Sequence, residues 1–349
     1  MSEGAEVIAR VEGQVGRLTL NRPRALNALT QGMCQAMTDA LLAWLNDPLV
    51  AIVLIDHAGE RGFCAGGDIR LVAESGAGDG AAARGFFFTE YRLNELLHRY
   101  PKPTIAVMDG ITMGGGVGLS LPCRIRVATE RTVLAMPETG IGLFPDVGAG
   151  WHLPRLPGQT GLWLALTGAR LKAADCLGLG LATHAIAGSD AEAVKAQIVA
   201  GAEPEAVLQR HRLDPGSAPI LEHRADIDRL FDQPSVEAVF AALGADGSAW
   251  AAAQLDTLRT KSPQALKLTF RQLREGRRRS SFVDEMKAEF RLAVRVVRRH
   301  DFQEGVRAVI IDKDNAPRWD PPDLAGVADA LLDELFAPLA AGEDWTPLP

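Results

Sequence analysis

The residues best suited to chemistry are two glycine loops and two carboxylates. One loop is Phe63-Cys64-Ala65-Gly66-Gly67-Asp68, and the other is Gly110-Ile111-Thr112-Met113-Gly114-Gly115-Gly116-Val117-Gly118. Glycine lets backbone N–H groups come close to a ligand and point at it. Two such groups converging on one carbonyl make an oxyanion hole, where a single donor is worth about 2.7–4 kcal/mol of barrier. A pair of tight turns without a ligand is the plainer reading of the same glycines. The carboxylates are Glu138 and Asp146, in the apolar, Gly/Pro-rich residues 135–148. A carboxylate in apolar surroundings has a raised pKa and serves as a base near neutral pH. Capping a helix N-terminus is the alternative.

Other chemistries find little support. The chain has no Gly-x-Ser-x-Gly elbow, no His-Glu-x-x-His and no Gly-x-x-x-x-Gly-Lys-Ser/Thr loop. Gly76-Ala77-Gly78-Asp79-Gly80-Ala81 fits a loose dinucleotide fingerprint, but no strand precedes it. His152 and His300 have no readable partner and read as structural. Cys34, Cys64, Cys123 and Cys176 are far apart, which spells neither a disulfide framework nor a zinc ribbon. Their use fits a reducing compartment.

Strand-like runs precede each loop. Residues 15–20, 50–55, 104–108 and 125–128 read as strands, and 30–46 as a helix with Thr30 as its N-cap. Residues 74–85 are rich in Gly and Ala and read as mobile surface; residues 86–100 read as helix. Strand, glycine turn and helix in alternation argue an α/β fold. Residues 191–300 read as almost wholly helical, broken at Pro204, Pro215, Pro219, Pro234 and Pro263. Nine arginines between 271 and 299 read as a solvated helical face, with a phosphate-facing patch as the sharper alternative.

The chain has 349 residues, 47% of them hydrophobic and 23% charged, with a net charge of −7. This is ordinary globular composition, long enough for a sizeable core. The negative balance weighs against a broad nucleic-acid surface. No apolar run reaches the roughly 18 residues of a membrane span. The acidic start Met1-Ser2-Glu3-Gly4-Ala5-Glu6 suits neither a secretory signal nor a mitochondrial presequence, so a cytoplasmic location is expected.

Taken together, the motifs resemble the enoyl-CoA hydratase/isomerase (crotonase) superfamily, and within it the branch of 3-hydroxyisobutyryl-CoA hydrolases. The resemblance begins at Leu18-Thr19-Leu20-Asn21-Arg22-Pro23 with Leu26-Asn27-Ala28-Leu29. It runs through residues 63–70, 110–120, 126–130 and 136–148, and returns at 300–314. It implies a crotonase-like spiral of ββα units with a helical C-terminal region. The core would be residues 1–195, and residues 196–349 would complete the same domain.

The resemblance also implies roles. A thioester oxygen sits between the N–H groups of Gly67 and Gly115. Glu138 and Asp146 carry hydrolysis, and Glu90 contacts the substrate. Ala25, Leu26, Ala65 and Asp68 lie near the adenine of coenzyme A, and Arg22, Arg24 and Lys313 are candidates for its phosphates. Phe302 packs against the acyl or pantetheine region, or belongs to the core. Hydratases of the superfamily carry a glutamate three residues after the second oxyanion glycine; here that position is Gly118. The expected activity is hydrolysis of 3-hydroxyisobutyryl-CoA, a step of valine breakdown. Coenzyme A would be part of the substrate, with no separate cofactor or metal. The expected partner is the acyl-CoA, without nucleic acid or membrane; superfamily members are often trimers or dimers of trimers, so a homo-oligomer is one option, and the extra C-terminal part leaves the oligomeric state open. The alternative is an enoyl-CoA hydratase or isomerase acting on another short acyl-CoA. A non-catalytic RNA-binding relative is disfavoured by the intact carboxylates.

Overall fold

A computed structural model describes residues 4–349; Met1, Ser2 and Glu3 of the acidic start lie outside the described residues. Nine strands form two sheets. They are β1 (Val7–Glu12), β2 (Val15–Leu20), β3 (Ile52–His57), β4 (Gly62–Cys64), β5 (Thr104–Met108), β6 (Ile111–Met113), β7 (Ile125–Ala128), β8 (Val133–Ala135) and β9 (His184–Ala185). The larger sheet has the order β1-β2-β3-β5-β7-β9, and the smaller has β4-β6-β8. Only β1 runs antiparallel to its neighbour.

The order contains a repeat. Each of β3, β5 and β7 in the large sheet is followed, after a short turn, by β4, β6 or β8 in the small one. A helix or helical turn comes next: Ile69–Ala77, Gly115–Ser120 or Glu138–Ile141. The sequence showed β2, β3, β5 and β7, but not β1, whose apolar run is interrupted by Arg10 and Glu12. It hid β4, β6 and β8, three residues each, because so short a run has no readable period.

Alternation along the strands assigns the two faces of the large sheet. Val53, Ile55, Ala106, Met108 and Ala128 face the main core. Leu54, Ile105, Val107 and Val127 face a smaller core closed by Val194, Ile198, Val207 and Leu208. The main core runs from Val7 to Trp345, so sheet and C-terminal helices share it. Pro204, Pro219 and Pro263 each open a helix, as expected of proline in the first turn.

Residues 74–85 are not a mobile loop. They hold the end of the Ile69–Ala77 helix and the start of the Ala81–His98 helix, with Gly76 buried. A methyl group built on Gly76 would lie 2.2 Å from the Val297 carbonyl oxygen, so the small residue is there for close approach of two backbones. The arginines of 271–299 are not a plain solvated face either. Arg271 binds Asp333 at 2.7 Å, Arg279 binds Glu285 at 2.6 Å, and Arg291 binds Asp344 at 3.0 Å through Nε. Arg295 donates to the carbonyls of Leu335, Ala337 and Pro338. Several of these side chains therefore fasten the C-terminal tail.

Candidate active site

The three parallel strands β4, β6 and β8 end side by side, with Met113 opposite Ala135 and Cys64 beside Thr112. Each strand leads into one part of the site: Gly66-Gly67 after β4, Gly114-Gly115 after β6, and Glu138 after β8. Register alone thus converges three segments that are distant in sequence. The two glycine loops touch: a methyl on Gly114 would lie 3.3 Å from Gly66 Cα. Gly114 has φ +47, so it also needs the left-handed freedom of glycine.

The N–H groups of Gly67 and Gly115 donate to no backbone carbonyl among the described residues. Gly115 opens the Gly115–Ser120 helix, where unpaired N–H groups and the helix dipole favour negative charge. Both glycines line a cavity of about 560 Å³, a volume suited to a small ligand. Glu90, Glu138 and Asp146 line it too. Glu90 and Tyr91 come from the Ala81–His98 helix; Asp146 lies beyond the helical turn that starts at Glu138.

The carboxyls sit over the loops. A methyl on Gly115 would lie 2.7 Å from Glu90 Oε1, and one on Gly114 would lie 3.0 Å from Glu138 Oε1. Glycine is therefore required by the acids as well as by the turn. Glu90, Glu138 and Asp146 are 2%, 5% and 6% exposed. Glu90 Oε1 and Glu138 Oε2 have no hydrogen-bond partner. Burial, then repulsion from Asp146 and Glu138, pushes Glu90 well above the carboxylate range. Burial and Asp146 do the same to Glu138. Asp146 is pushed up to about 6 by burial, held back by the Tyr91 hydroxyl that donates to its Oδ2 at 2.7 Å. Three carboxyls raised by burial and mutual repulsion in one cavity are suited to acid–base work near neutral pH.

Gly118 is not in the lining but lies directly behind Val147, which is. A methyl there would lie 2.5 Å from Val147 Cβ and 3.0 Å from Asn94 Nδ2. Any side chain at 118 meets Val147, so the place of the hydratase glutamate is filled from the other side. Val147 has φ +54, an outlier for a β-branched residue, in the turn that carries Asp146.

The adenine-region residues fall differently. Ala65 lines the cavity; Ala25, Leu26 and Asp68 do not. Leu26 braces the first loop, its carbonyl accepting from Ala65 N–H at 3.0 Å. Asp68 pairs with Arg22 at 2.8 Å, so that arginine is already engaged. Arg24 and Lys313 are exposed and outside the lining. The basic side chains that do line the cavity are Arg170 and Lys261, which sequence reading missed. Burial and Arg170 hold the Lys261 ammonium below its usual pKa. Neither residue lies in a motif; they meet Glu138 only in space, across the cavity lining.

Phe302 is fully buried core. His152 is packed beside His98 and Phe282, and burial pushes it down to about 3, which suits a structural ring. His300 pairs with the Arg318 carbonyl. Burial pushes the Cys64 thiol up to about 12, which makes it a poor nucleophile. Among the described residues, no cluster of three or more His, Cys, Asp or Glu is placed to hold a metal.

A family model described as enoyl-CoA hydratase/isomerase matches residues 15–336. A protein of Danio rerio named 3-hydroxyisobutyryl-CoA hydrolase, mitochondrial, is 46% identical over 346 residues, covering 96% of this chain and 90% of its own. Two solved structures superpose closely. A carnitinyl-CoA dehydratase from Mycobacterium thermoresistibile has a TM-score of 0.93 at 42% identity, covering 98% of both chains. An enoyl-CoA hydratase from Rhodobacter sphaeroides 2.4.1 has a TM-score of 0.91 at 38% identity, covering 98% of this chain and 100% of its own. These neighbours bear out the spiral expected of the motifs. The word mitochondrial in the relatives' names overturns the cytoplasmic expectation. That expectation rested on the composition of a few N-terminal residues, which does not decide the compartment.

Proposed function

The chain belongs to the enoyl-CoA hydratase/isomerase family, and from that premise we propose that it hydrolyses 3-hydroxyisobutyryl-CoA to 3-hydroxyisobutyrate and coenzyme A. The observation that carries the proposal is the pairing of Glu138 with Asp146 in one cavity, while the hydratase position holds Gly118 packed on Val147. Alkene hydration in this superfamily uses two glutamates on one water, and here one of them has neither side chain nor space.

In the proposed mechanism the thioester oxygen lies between Gly67 N–H and Gly115 N–H, which stabilise charge as it develops. In this mechanism the Glu138–Asp146 pair shares one proton: burial raises both acids, and the Tyr91 hydroxyl holds Asp146 back to about 6. The reactive form has the charge on Glu138 and the proton on Asp146. Glu138 supplies the oxygen nucleophile, its own or that of a water it deprotonates. The C–S bond breaks, and Asp146 gives its proton to the departing thiolate. In the direct route, water then cleaves the mixed anhydride and restores the pair. Glu90, with one oxygen unpartnered over the oxyanion loop, accepts a hydrogen bond from the substrate 3-hydroxyl. A buried acceptor rejects a chain lacking that hydroxyl far better than an apolar wall rejects a methylene.

Lys261 and Arg170 are the proposed contacts for the coenzyme's phosphates. Coenzyme A enters as part of the substrate, and the mechanism calls on no further cofactor. The family's habit of self-association extends the proposal to a homo-oligomer, which sedimentation velocity checks.

The test is a free-thiol assay with 3-hydroxyisobutyryl-CoA, run beside crotonyl-CoA with the enoyl chromophore monitored. Thiol release from the first with the second unchanged is the expected outcome. Loss of the chromophore without thiol release would instead favour the hydratase reading, which the names of the two superposed structures suggest.

A further inference from the structure

The Asp146 turn is held from behind by two buried residues of the C-terminal region. Glu289, on the Phe282–Val296 helix, accepts from Gly148 N–H at 2.7 Å and from Gly150 N–H at 3.0 Å. Gln272, on the Pro263–Gly276 helix, donates its amide to the Pro145 carbonyl at 2.8 Å and to Glu289 Oε1 at 3.3 Å. Both side chains are fully buried. Their contacts bracket residues 145–150, with Asp146 and Val147 between the anchored backbone groups.

That turn has one backbone hydrogen bond of its own, Ala149 N–H to the Asp146 carbonyl at 2.9 Å, and a strained conformation to offset. Val147 (φ +54) and Gly148 (φ +89) are successive left-handed residues, and the first is β-branched. Such a conformation costs of the order of 1–3 kcal/mol and persists only where the surroundings over-determine it. On one side Val147 packs on Gly118, and Tyr91 holds the Asp146 carboxylate. On the other side stand Glu289 and Gln272. Glu289 uses both oxygens on backbone N–H groups, which a carboxylate does and a side-chain amide does only by half. Burying an acid there is expensive, and burial beside Glu285 pushes it well above the carboxylate range.

We propose that Glu289, assisted by Gln272, is a positioning residue that sets the place of Asp146 in the cavity by clamping the 145–150 backbone. The proposal rests on the assignment of Asp146 to hydrolysis. An error of about 1 Å in a reacting group costs on the order of 100-fold in rate.

The experiment is a double-mutant cycle on the full chain with 3-hydroxyisobutyryl-CoA, using Glu289→Ala, Asp146→Asn and both together, with thermal melts recorded alongside. Glu289→Ala is expected to lower kcat by about 100-fold while KM stays within about threefold. Glu289→Gln, which keeps one acceptor, recovers part of the loss. In the Asp146→Asn background, Glu289→Ala costs at most about threefold more, because both changes remove one function. Parental kcat in a folded Glu289→Ala protein overturns the proposal. So does an equal loss with and without Asp146, which marks general structural damage. Parental kcat in Asp146→Asn alone overturns the catalytic reading itself and the clamp with it. If Glu289→Ala does not fold, Glu289→Gln and Gln272→Leu run through the same cycle with the same criteria.

Discussion

At the residue scale, the site is a balance between burial and hydrogen bonding on three carboxyls. The Tyr91 hydroxyl donates to Asp146 and holds it back to about 6 against burial. Its acid limb has the sign of that shift. The proposed mechanism needs an ionised oxygen on the Glu138–Asp146 pair, and protonation of Asp146 below about 6 takes charge away from that pair. The kcat/KM profile is therefore expected to fall as pH drops through about 6. Tyr91→Phe removes the donor that favours the charged form, so Asp146 rises and the limb moves up. A hydrogen bond to a charged group is worth about 1.5–3 kcal/mol, which converts to a shift of about one to two units. A limb that stays in place in Tyr91→Phe would detach Asp146 from it.

At the element scale, the short sheet β4-β6-β8 decides what meets what, and the Gly115–Ser120 helix decides which chemistry is absent. A glutamate at 118 has to displace Val147, whose Cβ would be 2.5 Å from the new Cβ. That atom is a branched carbon close to the backbone, not the end of a flexible chain. Replacing a helical glycine by alanine ordinarily helps by about 1 kcal/mol. Overpacking costs about 1–3 kcal/mol and decides the sign here. Gly118→Ala and Gly118→Glu are both expected to lower the melting temperature, and Gly118→Glu to hydrate no crotonyl-CoA. Adding Val147→Gly, which frees the space and relieves the positive φ, should restore the melting temperature of Gly118→Ala. A Gly118→Glu protein that melts like the parent would mean that the contact yields.

At the scale of the whole molecule, the C-terminal region packs against the proposed site. Its helices clamp the Asp146 turn, and its tail closes over the helix that carries Glu90 and Tyr91. Trp345 is fully buried, its indole N–H donating to the Phe88 carbonyl at 3.2 Å. Arg92 stacks on Phe88 and donates to the Thr346 carbonyl at 2.8 Å. Truncating a buried aromatic costs about 3–5 kcal/mol, so Trp345→Ala is expected to lower stability by that order in a chemical melt. Because the main core is continuous from Val7 to Trp345, the loss should appear as one cooperative transition shifted as a whole. Two separated transitions would divide the chain near residue 195 instead.

The sequence by itself determined the family, the strands β2, β3, β5 and β7 and the N-cap at Thr30, and it singled out Gly67, Gly115, Glu90, Glu138 and Asp146, which line one cavity. Each is written locally, in a short motif or an apolar period, and Thr30 does accept from Met33 N–H at 3.2 Å. Tertiary structure alone decided what those residues face. Lys261 and Arg170 reach the cavity, while Asp68 is taken by Arg22 and Leu26 by the first loop. Glu289 and Gln272 stand more than a hundred residues from the turn they hold, and nothing in their neighbourhood marks them. The reason is physical. Helix and strand period, turns and caps depend on neighbours in the chain. The partner of a buried acid is set by which helices the fold lays across it.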